Sequence, residues 1–132
     1  MKIYIGGSFS ARLRLRPIRD QIWALGHEVA STWLDEITKP DFITIDAFNF
    51  KLALKDLCEI SSADLVIIDT IDRSSTGGSD SEFGFAIGQF HKKTVWVVGP
   101  KRSVFHQLTD RHFDYGDWDV ALYVLRSMGR GK

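Results

Sequence analysis

A single carboxylate set among hydroxyls and glycines is the feature of this chain best suited to chemistry. Glu82 follows Ser74-Ser75-Thr76-Gly77-Gly78-Ser79-Asp80-Ser81 and precedes Phe83-Gly84. A glutamate beside a cleft can serve as a nucleophile or exchange protons with a bound molecule. The hydroxyls of Thr76 and Ser79, joined by Ser8 near the N-terminus, suit an anion such as phosphate where backbone N–H groups open a helix. Arg12, Lys101 or Arg102 can add charge there. A structural reading competes: Ser79-Asp80-Ser81-Glu82 spells a capping box, in which the glutamate folds back onto the serine backbone. Gly84 and Gly88 argue the other way, since each costs roughly 1 kcal/mol against alanine in a helix. They imply that a ligand or another helix comes close to the backbone.

Two more residues carry the same ambiguity. Asp56 falls near the C-terminal end of a predicted helix, where the dipole disfavours an exposed acid by a few tenths of a kcal/mol. It is either a solvated acid or one kept for another purpose. Tyr4, on a strand expected to be buried, is either a core aromatic whose hydroxyl finds one partner or a group aimed at a site. His27, His91, His106 and His112 show no ligand spacing with one another or with Cys58, so no metal site is expected. Gly6-Gly7-Ser8 lacks the G-x-G-x-x-G spacing and no Walker lysine occurs, so no cofactor is expected either. The arginines at 12, 14, 16 and 19 read as a solvated face.

The elements that must position these groups alternate. Lys2-Ile3-Tyr4-Ile5 is a strand closed by Gly6-Gly7-Ser8. Pro17, tolerated in a first turn, marks the start of a helix that carries Ile18, Ile22 and Leu25 and stops at Gly26. His27 to Trp33 reads as a second strand, and Leu34 to Ile45 as a long connection containing Pro40. Asp46 is placed to cap the next helix. On that helix Ala47, Phe50, Leu54 and Leu57 share a face, with Asp56 at its edge beside Ile60; Phe48 and Leu52 lie on the opposite side. Leu65 to Thr70 is the most apolar strand, followed by the Ser74–Gly88 loop and helix, whose stripe is Phe83, Ala86, Ile87 and Phe90. Thr94 to Val98 is a fourth strand, about Val104 to Leu108 a short helical piece, and Phe113 begins a fifth strand. Asp117 or Asp119 opens a last helix through Leu122, Val124 and Leu125. Such alternation predicts a parallel sheet of about five strands, ordered 2-1-3-4-5, inside a flavodoxin- or Rossmann-like three-layer α/β/α sandwich. Ligands in such folds bind beyond the carboxyl ends of the strands.

With 132 residues, one domain spanning 1–132 is expected. Lys+Arg 17 against Asp+Glu 17 leaves no net charge, which disfavours a nucleic-acid polymer as partner. One cysteine allows no internal disulfide, and the chain opens on a strand with no leader or membrane-spanning run. It is expected to be mature from Met1 and cytoplasmic.

Taken together, Tyr4-Ile5-Gly6-Gly7-Ser8, Asp56-Leu57 before Ala63-Asp64, Gly78-x-x-x-Glu82-x-Gly84, Gly99-Pro100 and Val104-Phe105-His106 resemble the nucleoside 2-deoxyribosyltransferase family. That family includes the 2'-deoxynucleoside 5'-phosphate N-hydrolases. The resemblance covers nearly the whole chain and implies a retaining double displacement. Glu82 would attack C1' of a deoxynucleoside, Asp56 would protonate or hold the leaving base, and Tyr4 would orient Glu82. Gly7, Ser8, Thr76, Gly78, Ser79 and His106 would contact substrate. Many transferases of the family carry an aspartate six residues before the nucleophile, where this chain has Thr76. The phosphate-accepting hydrolases carry a hydroxyl there, which can donate to a 5'-phosphate that a carboxylate would repel. Transfer to another base is placed first and hydrolysis of a 5'-monophosphate beside it. A non-catalytic nucleotide-binding domain and an NAD-type glycohydrolase are the remaining alternatives. The resemblance also implies a homodimer or higher homo-oligomer. Phe48 and Leu52 fit such a contact, or packing beneath the Leu34–Ile45 connection, and Gly84 with Gly88 fit it too.

Overall fold

A computed structural model of the chain describes residues 1–36, 41–72, 77–89, 93–114 and 118–128. Its centre is one sheet of five parallel strands in the order β2-β1-β3-β4-β5, as the alternation predicts. The strands are β1 Lys2–Gly6, β2 Glu28–Val29, β3 Leu65–Asp69, β4 Thr94–Val98 and β5 Arg111–Phe113. Every residue of β3 is buried, which is why that segment reads as an unbroken apolar run rather than an alternating one. Helices α1 (Arg12–Ala24) and α4 (Trp118–Ser127) pack together, as do α2 (Ile45–Ser62) and α3 (Gly78–Ile87), completing the α/β/α layers. Among the described residues, no helix is long and apolar enough to cross a membrane.

Several boundaries differ from the sequence expectation, each for a local reason. The second strand ends at Val29, and Trp33 lies in a 3-10 turn, Thr32–Asp35. Side chains take over the hydrogen bonds that a longer strand would have made to β1. The Ile5 N–H donates to Ser31 Oγ at 2.5 Å, and Trp33 Nε1 donates to the Ile5 carbonyl at 2.6 Å. Helix α1 begins at Arg12, so Pro17 lies inside it and not in its first turn. The stripe Ala11, Leu15, Ile18, Ile22 and Leu25 faces the core. Pro17 itself is exposed, so water can serve the carbonyl it leaves unpaired.

Thr44, not Asp46, caps α2, its hydroxyl accepting from the Ala47 N–H at 3.2 Å. On α2 the burial is the reverse of a simple amphipathic reading. Phe50 and Leu54 are exposed, whereas Phe48, Leu52 and Asp56 turn inward along the line that ends at buried Ile60. The predicted short helix is a 3-10 segment, Val104–Leu108, and α4 opens at Trp118 with Asp119 in its first turn. Phe90 and Asp117 fall outside the described residues.

Candidate active site

Glu82 owes its position to where α3 begins. Gly77 adopts a left-handed conformation (φ 75°) and occupies the N-cap, a geometry glycine adopts without strain. Ser79 is therefore the second helical residue, buried, and Glu82 the fifth, beyond capping reach. The capping box does not form. Instead Glu82 Oε2 accepts a hydrogen bond from the hydroxyl of Tyr4 on β1. Tyr4 is fully buried, so its ring belongs to the core while its hydroxyl serves the carboxylate. Both readings of Tyr4 hold together.

Gly6 makes room for this pair. A Cβ there would lie 2.8 Å from Glu82 Oε1 and 2.7 Å from Ile68 Cδ1. Replacing Gly6 with alanine should displace the carboxylate from its place beside the strand. We expect a stability loss of about 1–3 kcal/mol, the usual range for overpacking, with a larger proportional loss of activity. Denaturant unfolding and steady-state assays on one preparation check both.

The rest of the site comes from α2 and the turn after β2. A cleft of about 350 Å³ is bounded by Gly7, Phe9, Trp33, Leu52 and Gly78, with Glu36, Asn49, Asp56 and Glu82 as its polar side chains. Among the described residues, Asp56 Oδ1 is buried without a hydrogen-bond partner. Buried polar atoms almost always find one, so an atom left over beside a cleft is suited to a ligand. Lys55, the neighbour of Asp56, is ion-paired with Glu36 on the cleft wall.

The electrostatics follow from crowding carboxyls into a poorly hydrated space. Burial pushes Glu82 up to about 8; the Tyr4 hydrogen bond pulls down, while the charges of Asp56 and Glu59 add to the rise. Burial, with help from Glu36 and Glu59, pushes Asp56 up to about 7 against the pull of Lys55. Burial and the nearby carboxylates raise Tyr4, which stays a neutral O–H donor. The site therefore holds a proton that two acids can share near neutrality, and such separation of roles is a means of general acid–base work. Tyr4→Phe should leave Glu82 titrating higher still, because the one interaction pulling it down is gone. The acid limb of the rate profile should move to higher pH and kcat fall about 10–100-fold through lost orientation.

The sequence-predicted residues divide. Tyr4, Asp56, Glu82, Gly7 and Gly78 are brought together around the cleft. Ser8 lies between Gly7 and Phe9, its hydroxyl 2.9 Å from that of Ser10. Thr76 lies outside the described residues. His106 is elsewhere in the chain, on the far side of α3. It lines a separate cavity of about 700 Å³ with Gly84, Gly88 and Phe105. Its Nδ1 accepts from the N–H groups of Arg102 and Ser103, so the other nitrogen carries the proton, 3.5 Å from Asp80. Burial lowers its pKa despite Asp80. A Cβ added at Gly84 would meet nothing within 4 Å, so among the described residues no backbone crowds it. Of the cations named for an anion, Lys101 and Arg102 are engaged by polar protein groups, whereas Arg12 Nε is buried without a hydrogen-bond partner among the described residues. Arg12 stacks on the Phe9 ring at 4.1 Å, Lys101 donates to Gln107, and Arg102 donates to the carbonyls of Thr70 and Ile71.

Phe9, Trp33, Glu36, Asn49 and Leu52 are cleft residues the motifs did not single out. Two of them had a weaker signal: Glu36 falls on the long Leu34–Ile45 connection, and Leu52 is the apolar residue read as packing beneath it or against a second copy.

By sequence alone, no family model and no curated protein matches the chain. By structure, the chain is similar to a 2-deoxyribosyltransferase of the psychrotolerant bacterium Bacillus psychrosaccharolyticus. The TM-score is 0.65 at 20% identity, over 95% of this chain and 96% of that one. It is also similar to a CMP N-glycosidase of Clostridium botulinum, with a TM-score of 0.58 at 18% identity, over 95% of this chain and 98% of that one. At these identities the likeness establishes a common fold.

Proposed function

We propose that the protein is an N-glycosidic bond-cleaving enzyme of the nucleoside 2-deoxyribosyltransferase type, working through a covalent deoxyribosyl-Glu82 intermediate. The observation that carries this reading is the half-buried Glu82 carboxyl, held by the Tyr4 hydroxyl at a cleft that also contains Asp56. The two fold relatives, a 2-deoxyribosyltransferase and a CMP N-glycosidase, support it.

In the first step a Glu82 oxygen forms a bond to C1' of a 2'-deoxynucleoside as the C1'–N bond breaks. The bonding pair leaves with the base, which takes a proton from Asp56. An oxocarbenium-like transition state gains from the adjacent carboxylate. In the second step an acceptor base attacks C1', expels the Glu82 carboxylate and returns a proton to Asp56. Splitting one difficult substitution into two easier ones is what a carboxylate nucleophile contributes.

Water in place of the acceptor base gives the second reading, a 2'-deoxynucleoside 5'-monophosphate N-hydrolase. The hydroxyl residue Thr76 and the likeness to a nucleotide glycosidase favour it. Incubation with deoxynucleosides and with their 5'-monophosphates, with and without a second base, separates the two. Base exchange between nucleosides marks transfer; free base from monophosphates alone marks hydrolysis. Binding without turnover of either would leave a nucleotide-binding domain, and release of nicotinamide from NAD a different glycohydrolase.

We further propose that the enzyme works as a homo-oligomer in the cytoplasm. Phe105, at the cavity beyond α3, and its chain neighbour Val104 are 62% and 78% exposed, an apolar surface suited to a second copy. Light scattering should give a dimer or larger, and Phe105→Asp should shift it toward monomer.

A further inference from the structure

Resting on that reading, we infer that the cleft selects nucleobases with an amidine edge, a ring-nitrogen acceptor beside an exocyclic amine as in cytosine and adenine, and that Glu36 is the specificity-determining residue. Among the described residues, the polar side chains facing the cleft are three carboxyls and one amide, Glu36, Asp56, Glu82 and Asn49. Trp33, the remaining side chain with an N–H on the cleft, has already given it to the Ile5 carbonyl. The ammonium of Lys55 is directed to Glu36. An oxo base such as uracil or hypoxanthine presents carbonyl oxygens that need donors, and among the described side chains few remain.

An amidine edge matches what is present. Glu36 can accept from the exocyclic amine as a charge-assisted bond. Asp56, whose Oδ1 is buried and unpartnered, can donate its proton to the neighbouring ring nitrogen. Its raised pKa, to which Glu36 contributes, keeps that proton available near neutrality. Glu36 thus acts twice, as acceptor for the amine and as the charge that favours the protonated Asp56. Sites built to bond an N–H reject analogues lacking it far more strongly than apolar pockets reject a missing methylene.

The test compares 2'-deoxycytidine with 2'-deoxyuridine and 2'-deoxyadenosine with 2'-deoxyinosine, as nucleosides and as 5'-monophosphates. Calorimetric binding of the four free bases runs beside the turnover assays. The amino member of each pair should exceed its oxo partner by at least about tenfold in kcat/KM and in affinity. Glu36→Gln, whose amide also donates, should bring each ratio to within about threefold of unity. Comparing ratios between wild type and variant cancels the intrinsic reactivity of each glycosidic bond. Lys55→Gln, which removes the ammonium that holds Glu36 in place, should weaken the ratio partway through lost positioning and guards against a Glu36 variant that fails to fold. Equal use of amino and oxo bases, or ratios unmoved in a folded Glu36→Gln, overturns the inference. Absence of both turnover and base binding also overturns it. Amino-selective base binding that Glu36→Gln abolishes, without any turnover, supports the inference while removing the proposed reaction.

Discussion

Glu82→Gln should lose at least about 10³-fold in turnover, because an amide does not form the ester that splits the substitution, and yet be more stable than the wild type in mild alkali. The sign follows from the carboxyl's own titration. Its folded pKa, pushed up to about 8, stands above the ordinary value of 4.5, so between those limits the native state holds a proton that the unfolded chain releases. The unfolded chain then binds fewer protons, and stability falls as pH rises through that window, by at most about 1.4 kcal/mol per pH unit from this group. Below pH 4.5 both states are protonated and the contribution is fully retained. The glutamine keeps shape and can still accept from Tyr4, but has nothing to ionise. Melting temperatures of the two proteins should therefore lie close together near pH 4.5 and separate toward pH 8, with the variant the higher. Surviving activity would remove Glu82 as nucleophile. A gap that does not widen with pH would mean that the acid is not held in a dry site.

How much of this was readable beforehand depended on whether the signal was local. The strand order was legible because four apolar runs alternate with helical patterns, and parallel connection leaves few topologies. Helix α2 was legible as a helix, but its buried face was not, because only Ile60 in its last turn reaches the core. Its two apolar faces carried no local tie-breaker, and the one with Phe50 and Leu54 turned out to face solvent. The capping motif around Ser79 was genuine as a pattern. Gly77 and Gly78 opened the helix earlier, which carried Glu82 past the cap and under Tyr4.

Tyr4, Asp56 and Glu82 could be named beforehand through the order of motifs that resembles a known family, although Asp56 and Glu82 sit differently on their helices than the local pattern implied. The cleft wall was not. Trp33 read as a strand residue, and its indole reaches the cleft because it bonds to Ile5 across the sheet edge. Glu36 depends on Lys55 of another element. Both depend on tertiary docking that no window of sequence contains.

The second large effect concerns Asp56. The proposed mechanism needs Glu82 ionised and Asp56 protonated, so under it the pair must carry one proton between them. With Asp56 pushed up to about 7 and Glu82 to about 8, kcat/KM should follow a narrow bell with its maximum between those values. The limbs belong to the pair and not to either residue. Part of Glu82's rise comes from the Asp56 charge, which vanishes when Asp56 holds the proton. Within the one-proton state the productive arrangement is therefore favoured more than the two values suggest.

Asp56→Asn should change both height and shape. The rate with natural substrates should drop about 10²–10⁴-fold, the usual worth of a general acid. The alkaline limb should vanish, because no second proton remains to be lost. The acid limb should remain as the single titration of Glu82, at or slightly above its former pH, because Asp56 is protonated and uncharged on that limb and its charge raises only the second proton loss. A 4-nitrophenyl 2-deoxyriboside, whose leaving group departs without protonation, should lose far less than a deoxynucleoside does. Stopped assays across pH 5 to 10 with both substrates decide the matter, within the stability range that circular dichroism sets for each protein. An Asp56→Asn profile that keeps its alkaline limb, or equal losses with both leaving groups, would confine Asp56 to holding the base and leave the proton donor to another group in the cleft.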